Sequence, residues 1–245
     1  MKWTTRRYNY KKPEENEGMI SIILPTYNRI DFLKDRVNEI LKQTYTNWEL
    51  IIINDNSSDE TFNYINSLSD NRIKKINLPQ NTGCVSLPRN IGVSWSSGEF
   101  ICNADDDVAI PSNKLELLIS NITNKLVCIG QRKELTINNE IKISPIIKEW
   151  NPDKGSGIDN GQFIYRKSAY SNMPYITSTH ACDYHLLKEL YKHGEFTYID
   201  DIVCCYIWHG GNRSLSEERK YKLINPYTFK KYFNVINDLS VIYEL

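Results

Sequence analysis

Residues 98–111, GEFICNADDDVAIP, decide how the rest of the chain is read. The apolar run Phe100, Ile101, Cys102 and the small Ala104 lead into three consecutive carboxylates, Asp105, Asp106 and Asp107, and Pro111 closes the segment. This is the pattern of a buried strand that carries acid to its own C-terminal end, where ligands bind in an open α/β sheet. At roughly 5 Å and an effective dielectric of ~20, each carboxylate pair costs on the order of 3 kcal/mol, against under ~1 kcal/mol in bulk water. The triplet is therefore either solvated or neutralised by a cation.

Upstream, Met19 to Leu24 (MISIIL) is a β-branched run suited to a parallel strand covered on both faces, and Pro25 ends it. The loop Pro25-Thr26-Tyr27-Asn28-Arg29 then lies at a strand's C-terminal end, with Asp31 placed to cap a helix that carries Leu33, Val37, Ile40 and Leu41 at helical spacing. Trp48 to Ile53 reads as a second strand running into Asn54-Asp55-Asn56-Ser57-Ser58-Asp59-Glu60, where Ser57 and Glu60 have capping-box spacing. Ile73 to Leu78 is a third strand. A helix follows from about Pro88 to Trp95, with Arg89 and Asn90 in its first turn, where free amides favour an anion. Strand and helix thus alternate four times up to Leu118, which predicts a largely parallel sheet with helices on both faces. No GxGxxG follows the first strand and no GxxxxGK[ST] occurs, so neither the dinucleotide nor the P-loop fingerprint is present.

Downstream the pattern is less regular. Residues 126–129, 134–137 and 141–146 read as a strand meander, and 150–161 (WNPDKGSGIDNG) as a Gly-rich loop suited to a lid. Phe163 to Tyr165 returns to strand. A helix is predicted from about Ala181 to His193, with Cys182-Asp183 in its first turn, and the strand-like run 202–208 empties into His209-Gly210-Gly211-Asn212-Arg213-Ser214. Residues 215–245 read as a helical extension and 1–18 as a flexible polar arm.

Lys plus Arg and Asp plus Glu number 30 each, so no overall basic field draws the chain to nucleic acid, and an anionic ligand must be met locally. Six cysteines without CxxC pairs suggest reduced thiols of a cytoplasmic protein. No apolar run approaches the ~20 residues of a membrane span, which leaves peripheral contact as the remaining membrane role. His180, Cys182, His185, Cys204, Cys205 and His209 have zinc-binding atoms, yet no standard ligand spacing.

The polar strand ends form a series: PTYNR, NDNSSDE, NTG with LPRN, GEF leading to ADDD, an Asp at a helix start, and HGGNRS. In order and approximate spacing, from Met19 to about Ser214, that series resembles the family 2 glycosyltransferases of the GT-A fold. The resemblance implies an α/β architecture: a mostly parallel nucleotide-binding sheet flanked by helices, a smaller mixed acceptor-side part, and a helical tail. It implies a single domain over 19–214, with 19–118 holding the nucleotide sugar and 119–214 the acceptor. The implied activity is inverting transfer of a sugar from a UDP-, GDP- or dTDP-sugar to a hydroxyl of a glycan, lipid-linked or protein-linked acceptor, with Mn2+ or Mg2+.

A nucleotide base needs a flat apolar surface and a hydrogen-bond acceptor, which Tyr27 and Asp55 supply on adjacent strand-end loops. Matching loops in the family hold the base, which places Pro25, Tyr27, Arg29 and Asp55 at the donor. Asn54 stands where the family has the first of two acids. Arg72, just before the third strand, is a further base contact or a surface arginine. Hard oxygen ligands select Mg2+ or Mn2+. Counting back from Pro111 aligns the family's Asp-x-Asp with Ala104-Asp105-Asp106, putting Asp106 at the metal, Asp105 at the donor and Asp107 beside them; counting forward from Gly98 favours Asp105 and Asp107 instead. Arg89 offers a fixed fork to phosphate or sugar oxygens, or braces neighbouring acids. Cys182-Asp183 matches the family's acidic pair, with Asp183 as the general base. Asp159, Asn160 and Gln162 lie where the family positions its acceptor, and His209 matches a third metal ligand or a diphosphate contact. Asn54, Ala104 and Cys182, standing where acids are usual, raise the alternative of a non-catalytic binding domain; a nucleotidyltransferase would want a Gly-rich basic loop after the first strand.

Overall fold

The structure is a computed structural model that describes residues 16–135, 141–143, 148–151, 157–170 and 182–207. Strand β1 (Asn16–Thr26) lies between β2 (Trp48–Asn54) and β4 (Gly98–Asn103) and is parallel to both, while β3 (Ile73–Asn77) continues the parallel set beyond β2. The sheet then turns mixed. β4 pairs antiparallel with β8 (Phe163–Arg166), β8 with β6 (Val127–Leu135), and β6 runs parallel to β9 (Phe196–Ile207). The two-residue β5 (Val108–Ala109) closes the far edge against β9, and β7 (Ile141–Ile143) pairs with the end of β6.

Alternation along the strands divides the core in two. Ile20, Ile22 and Leu24 face α1 (Ile30–Leu41), α2 (Thr61–Ser67) and α4 (Lys114–Ile122), whereas Ile23, Ile51, Ile53 and Ile101 face α3 (Ser86–Trp95) and α5 (Cys182–Tyr191). The run ELIII of β2 is buried along its whole length, as a central parallel strand requires. Gly92 lets α3 lie directly on the sheet: a Cβ there would stand 2.5 Å from Ile23 Cγ2. That close approach sets the height of Arg89, one turn earlier on the same helix.

Several boundaries differ from the sequence reading. β1 begins at Asn16, inside the expected arm, and runs through Pro25 to Thr26. Pro25 is tolerated because its missing N–H faces the β4 side, where the ladder has already ended with the Ala104 N–H donating to Ile23 O. The Ser57/Glu60 capping box does not form: the Ser57 hydroxyl accepts the Asn28 N–H at 3.0 Å, and Asp59 accepts the Thr61 N–H instead. Val127–Leu135 is one longer strand, where two short ones were expected. The polar residues 1–15, most of the Gly-rich loop (152–156), His209 with the HGGNRS segment, and the C-terminal extension 215–245 lie outside the described residues. All six cysteines are unpaired thiols.

Candidate active site

The C-terminal ends of β1, β2 and β4 open onto the N-terminus of α5, and the side chains gathered there are chiefly acids and arginines. At the end of β2, Asn54 is buried, its Nδ2 donating to Asn77 Oδ1 at 3.0 Å and its Oδ1 accepting the Ser57 N–H at 3.0 Å. An amide can both donate and accept, which suits this loop better than the acid of the family pattern. Asp55 ties down the loop before α3: Thr82 donates its N–H and its hydroxyl to the two carboxylate oxygens, each at 2.9 Å, and Asn81 Nδ2 donates at 3.1 Å. Asn28 and Asn56 take positive φ, and Asn28 Oδ1 accepts the Ser58 N–H at 2.7 Å, so the loops after β1 and β2 are stitched together. Beside them the Tyr27 ring is 45% exposed, an aromatic face open to a ligand next to Asp55.

The acidic triplet is neutralised by arginines of the protein itself. Arg29 Nη1 donates to Asp106 Oδ1 at 3.0 Å and to Asp107 Oδ2 at 2.8 Å, and the Thr26 hydroxyl donates to Asp106 Oδ2 at 3.0 Å. Asp106 thus has both oxygens engaged and a side chain only 7% exposed. Burial pushes its carboxyl up to about 6, with Arg29 opposing and Asp107 adding to the rise. Arg36, buried on α1, is drawn down to about 10 by burial while the acids of the triplet hold its charge. Asp105 points the other way. It is 26% exposed, one oxygen pairs with Arg89 Nη2, and the second has no hydrogen-bond partner among the described residues. In this arrangement Asp106 is held in the wall by Arg29 and Thr26, and Asp105 is the more exposed acid of the two.

Arg89 is buried and braces the site, pairing with Asp105 and donating from Nη1 to Cys182 Sγ at 2.9 Å. Cys182, in the place of an acid, fills a buried position against that guanidinium, and burial raises its thiol. Next to it Asp183 accepts the Tyr184 N–H at 2.9 Å. Asp159, in the turn before β8, pairs with Arg132 Nη1, and Arg132 Nη2 meets Glu134 at 2.6 Å. Burial pushes Asp183 up to about 6; the charges of Asp159 and Asp105 add to the rise, and Arg89 opposes it. Asp159 is also raised, first by burial, against the pull of Arg132. Of the three acids that face one another here, Asp105 and Asp159 each hold an arginine, and Asp183 has no ion pair among the described residues.

Placement bears on two further expectations. Arg72 lies at the N-terminal end of β3, opposite the site, where it pairs with Asp70 at 2.7 Å and stacks 3.7 Å from the Trp48 ring centroid. Asn160 and Gln162 are 2% and 0% exposed and are bonded inward: Asn160 Oδ1 accepts from Asn103 Nδ2, and Gln162 Nε2 donates to Gly130 O at 3.1 Å. Only Asp159 of that trio reaches the surface. Conversely, Thr26, Arg36, Asn103 and Arg132 were not singled out from sequence. The one available signal was a charge, Arg132, set directly after the apolar run VCIGQ.

The family model for "Glycosyl transferase family 2" matches residues 21–182. The chain belongs to that family. This glycosyltransferase is 29% identical over 237 residues to the UDP-Glc:alpha-D-GlcNAc-diphosphoundecaprenol beta-1,3-glucosyltransferase WfgD of Escherichia coli, covering 94% of this chain and 92% of that one. A shorter match, 32% identical over 100 residues and covering 40% of this chain and 39% of the other, is to the putative teichuronic acid biosynthesis glycosyltransferase TuaG of Bacillus subtilis. Among solved structures, S. aureus TarS 1-349 in complex with UDP-GlcNAc superposes with a TM-score of 0.68 at 19% identity, covering 93% of this chain and 68% of that one. The GT-A fold of the glycosyltransferase is thereby established, and the ends of β1, β2 and β4 fall within the matched region, which stops at the first residue of α5.

Proposed function

We propose that this glycosyltransferase moves a sugar from a UDP-sugar to a hydroxyl of a lipid-linked or growing polysaccharide acceptor, with inversion and with a divalent metal. The observation that carries the mechanism is Asp183, without an ion pair among the described residues, near the two arginine-held acids. A general base must accept a proton, and a carboxylate already committed to a guanidinium is a poor acceptor. Asp183 takes the proton from the acceptor hydroxyl as that oxygen attacks the anomeric carbon. The bond from that carbon to the diphosphate oxygen breaks on the opposite face, and its electron pair leaves with the nucleoside diphosphate. Attack and departure in line invert the centre.

The donor sits at the ends of β1 and β2, where the exposed Tyr27 ring stacks on the base and Asp55 fixes the loop that borders it. Names of relatives favour uridine: WfgD is described as using UDP-Glc on a diphosphoundecaprenol acceptor, and TarS has been crystallised with UDP and UDP-GlcNAc. The donor set fits a hard cation: Asp105 directs an uncommitted carboxylate oxygen into the opening, although no group of three or more ligating side chains converges among the described residues. A Mg2+ or Mn2+ ion held by one carboxylate and the donor's own phosphate oxygens would be typical, and when bound it offsets the charge of the departing diphosphate. No described helix is long and apolar enough to cross a membrane.

The test is nucleotide release from a panel of UDP-, GDP-, dTDP- and CMP-sugars with and without Mn2+. Release from a UDP-sugar that is stimulated by Mn2+ and lost in Asp105→Ala is the expected result. Metal-independent release that survives in Asp105→Ala would remove the metal and its ligand from the mechanism. A preference for another nucleotide would overturn the donor.

A further inference from the structure

The arginines that meet the acids differ in how firmly they are built in. The side chains of Arg89 on α3 and Arg132 on β6 are 4% and 17% exposed, whereas that of Arg29 is 29% exposed and comes from the loop between β1 and α1. Arg29 Nη1 alone reaches Asp106 Oδ1 at 3.0 Å and Asp107 Oδ2 at 2.8 Å, so a single nitrogen bridges two consecutive carboxylates. A hard divalent cation also favours a bridging position between carboxylate oxygens. Asp105, by contrast, pairs with Arg89 through one oxygen and keeps the other uncommitted among the described residues. Beside the Arg29 guanidinium lies the Phe32 ring, 5.9 Å from Cζ to the centroid, an aromatic face that supports the cation from the helix side.

We propose that Arg29 is the protein's own cation at the triplet: it withholds Asp106 and Asp107 from the divalent metal, so that the metal loads together with the nucleotide and not ahead of it. The proposal rests on the metal reading given above, in which Asp105 and the donor's phosphate oxygens hold the ion. One carboxylate is a weak site for a divalent cation, and the phosphates supply the remaining hard oxygens. Taking Arg29 away acts twice in the same direction. It removes a like charge beside the metal, and it releases two acids as ligands. A residue that only props the acids in place acts the other way, because its loss lets them scatter and weakens the metal.

The experiment is a Mn2+ titration of the full chain, read by the electron paramagnetic resonance of free Mn2+, without nucleotide and with UDP, against a blank of UDP alone. Wild type is expected to bind Mn2+ more tightly with UDP than without. Arg29→Gln is expected to bind Mn2+ without nucleotide about tenfold more tightly than wild type, the size of effect one charge has on a divalent ion in a partly solvated site, and to shrink the gain from UDP. Arg29→Lys keeps a bridging cation and should stay within about threefold of wild type. Should Arg29→Gln fail to fold, Arg29→Met removes the same charge at this partly exposed position. Unchanged or weaker Mn2+ binding in the folded variant overturns the proposal. So does a loss of UDP affinity in EDTA with Mn2+ affinity unmoved, which would assign Arg29 to the donor. Failure of the metal reading itself looks different: wild type with UDP would bind no Mn2+ beyond the UDP blank, and the proposal would fall with it.

Discussion

The two edges of one sheet treat charge in opposite ways. At the N-terminal edge three acids each have their own cation: Glu49 with Lys74 at 2.6 Å, Asp70 with Arg72, and Glu99 with Arg166. At the C-terminal edge Asp105, Asp106, Asp107, Asp159 and Asp183 share Arg29, Arg89 and Arg132, and among the described residues one carboxylate is left over. Both edges carry buried polar groups, but only the second is left with an acid whose charged form the fold does not favour. Balanced pairs hold a fold in place, whereas an unbalanced acid is costly to the fold and available for proton transfer.

Substitutions should therefore have opposite signs at the two edges. Glu49 accepts from the Ser21 hydroxyl at 2.6 Å and from the Ser97 N–H as well as meeting Lys74. Glu49→Gln should lower the unfolding free energy by about 2–3 kcal/mol in urea titration, because charged hydrogen bonds in a buried setting are lost. Asp183→Asn should instead stabilise the metal-free protein by about 1–3 kcal/mol at pH 7.5. The sign follows from burial: the folded carboxyl sits at about 6, above its ordinary range, so the wild-type penalty grows as pH rises from about 4 to 6 and is full above that. The gain should accordingly fade when the same melts are run near pH 4. If Asp183→Asn is destabilising at pH 7.5, the contrast between the edges fails.

Smaller effects sharpen the contrast within the donor side. Tyr27→Ala should weaken UDP binding about tenfold by calorimetry with little change in melting temperature, since the ring is exposed and base stacking contributes about 1–3 kcal/mol. Arg72→Ala should leave UDP affinity unchanged and cost under ~1 kcal/mol of stability, the usual scale for a partly exposed pair stacked on an indole. A weaker nucleotide affinity in Arg72→Ala would contradict its place on the opposite edge.

Strand ends were the legible part of this chain. The runs MISIIL, WELIII and GEFIC each end in polar residues, and period and punctuation alone put Tyr27, Asp55 and the triplet on one edge. The roles within the triplet were not legible, because they depend on Arg29 and Thr26 reaching Asp106 from another loop while Arg89 reaches Asp105 from α3. Gln162 and Asn160 misled for a related reason: polar residues in a Gly-rich segment read as surface, but here they bond to Gly130 O and Asn103 under the turn. Arg72 was left open between base contact and surface arginine, and its pairing with Asp70 and stacking on Trp48 at the start of β3 favour the second. Arg132 left only a weak trace, since its meaning comes from Asp159, 27 residues away in sequence.

Asp183 as the general base is tested most directly by turnover of a UDP-sugar against pH, paired with calorimetric donor affinity, in wild type and Asp183→Asn. Turnover in wild type should rise with unit slope through about pH 6 to a plateau, as a buried carboxylate gives up its proton. Asp183→Asn should bind donor with unchanged affinity and lose turnover by about 10²–10⁴-fold. Wild-type turnover retained in Asp183→Asn, or a wild-type profile flat from pH 5 to 8, would contradict the assignment.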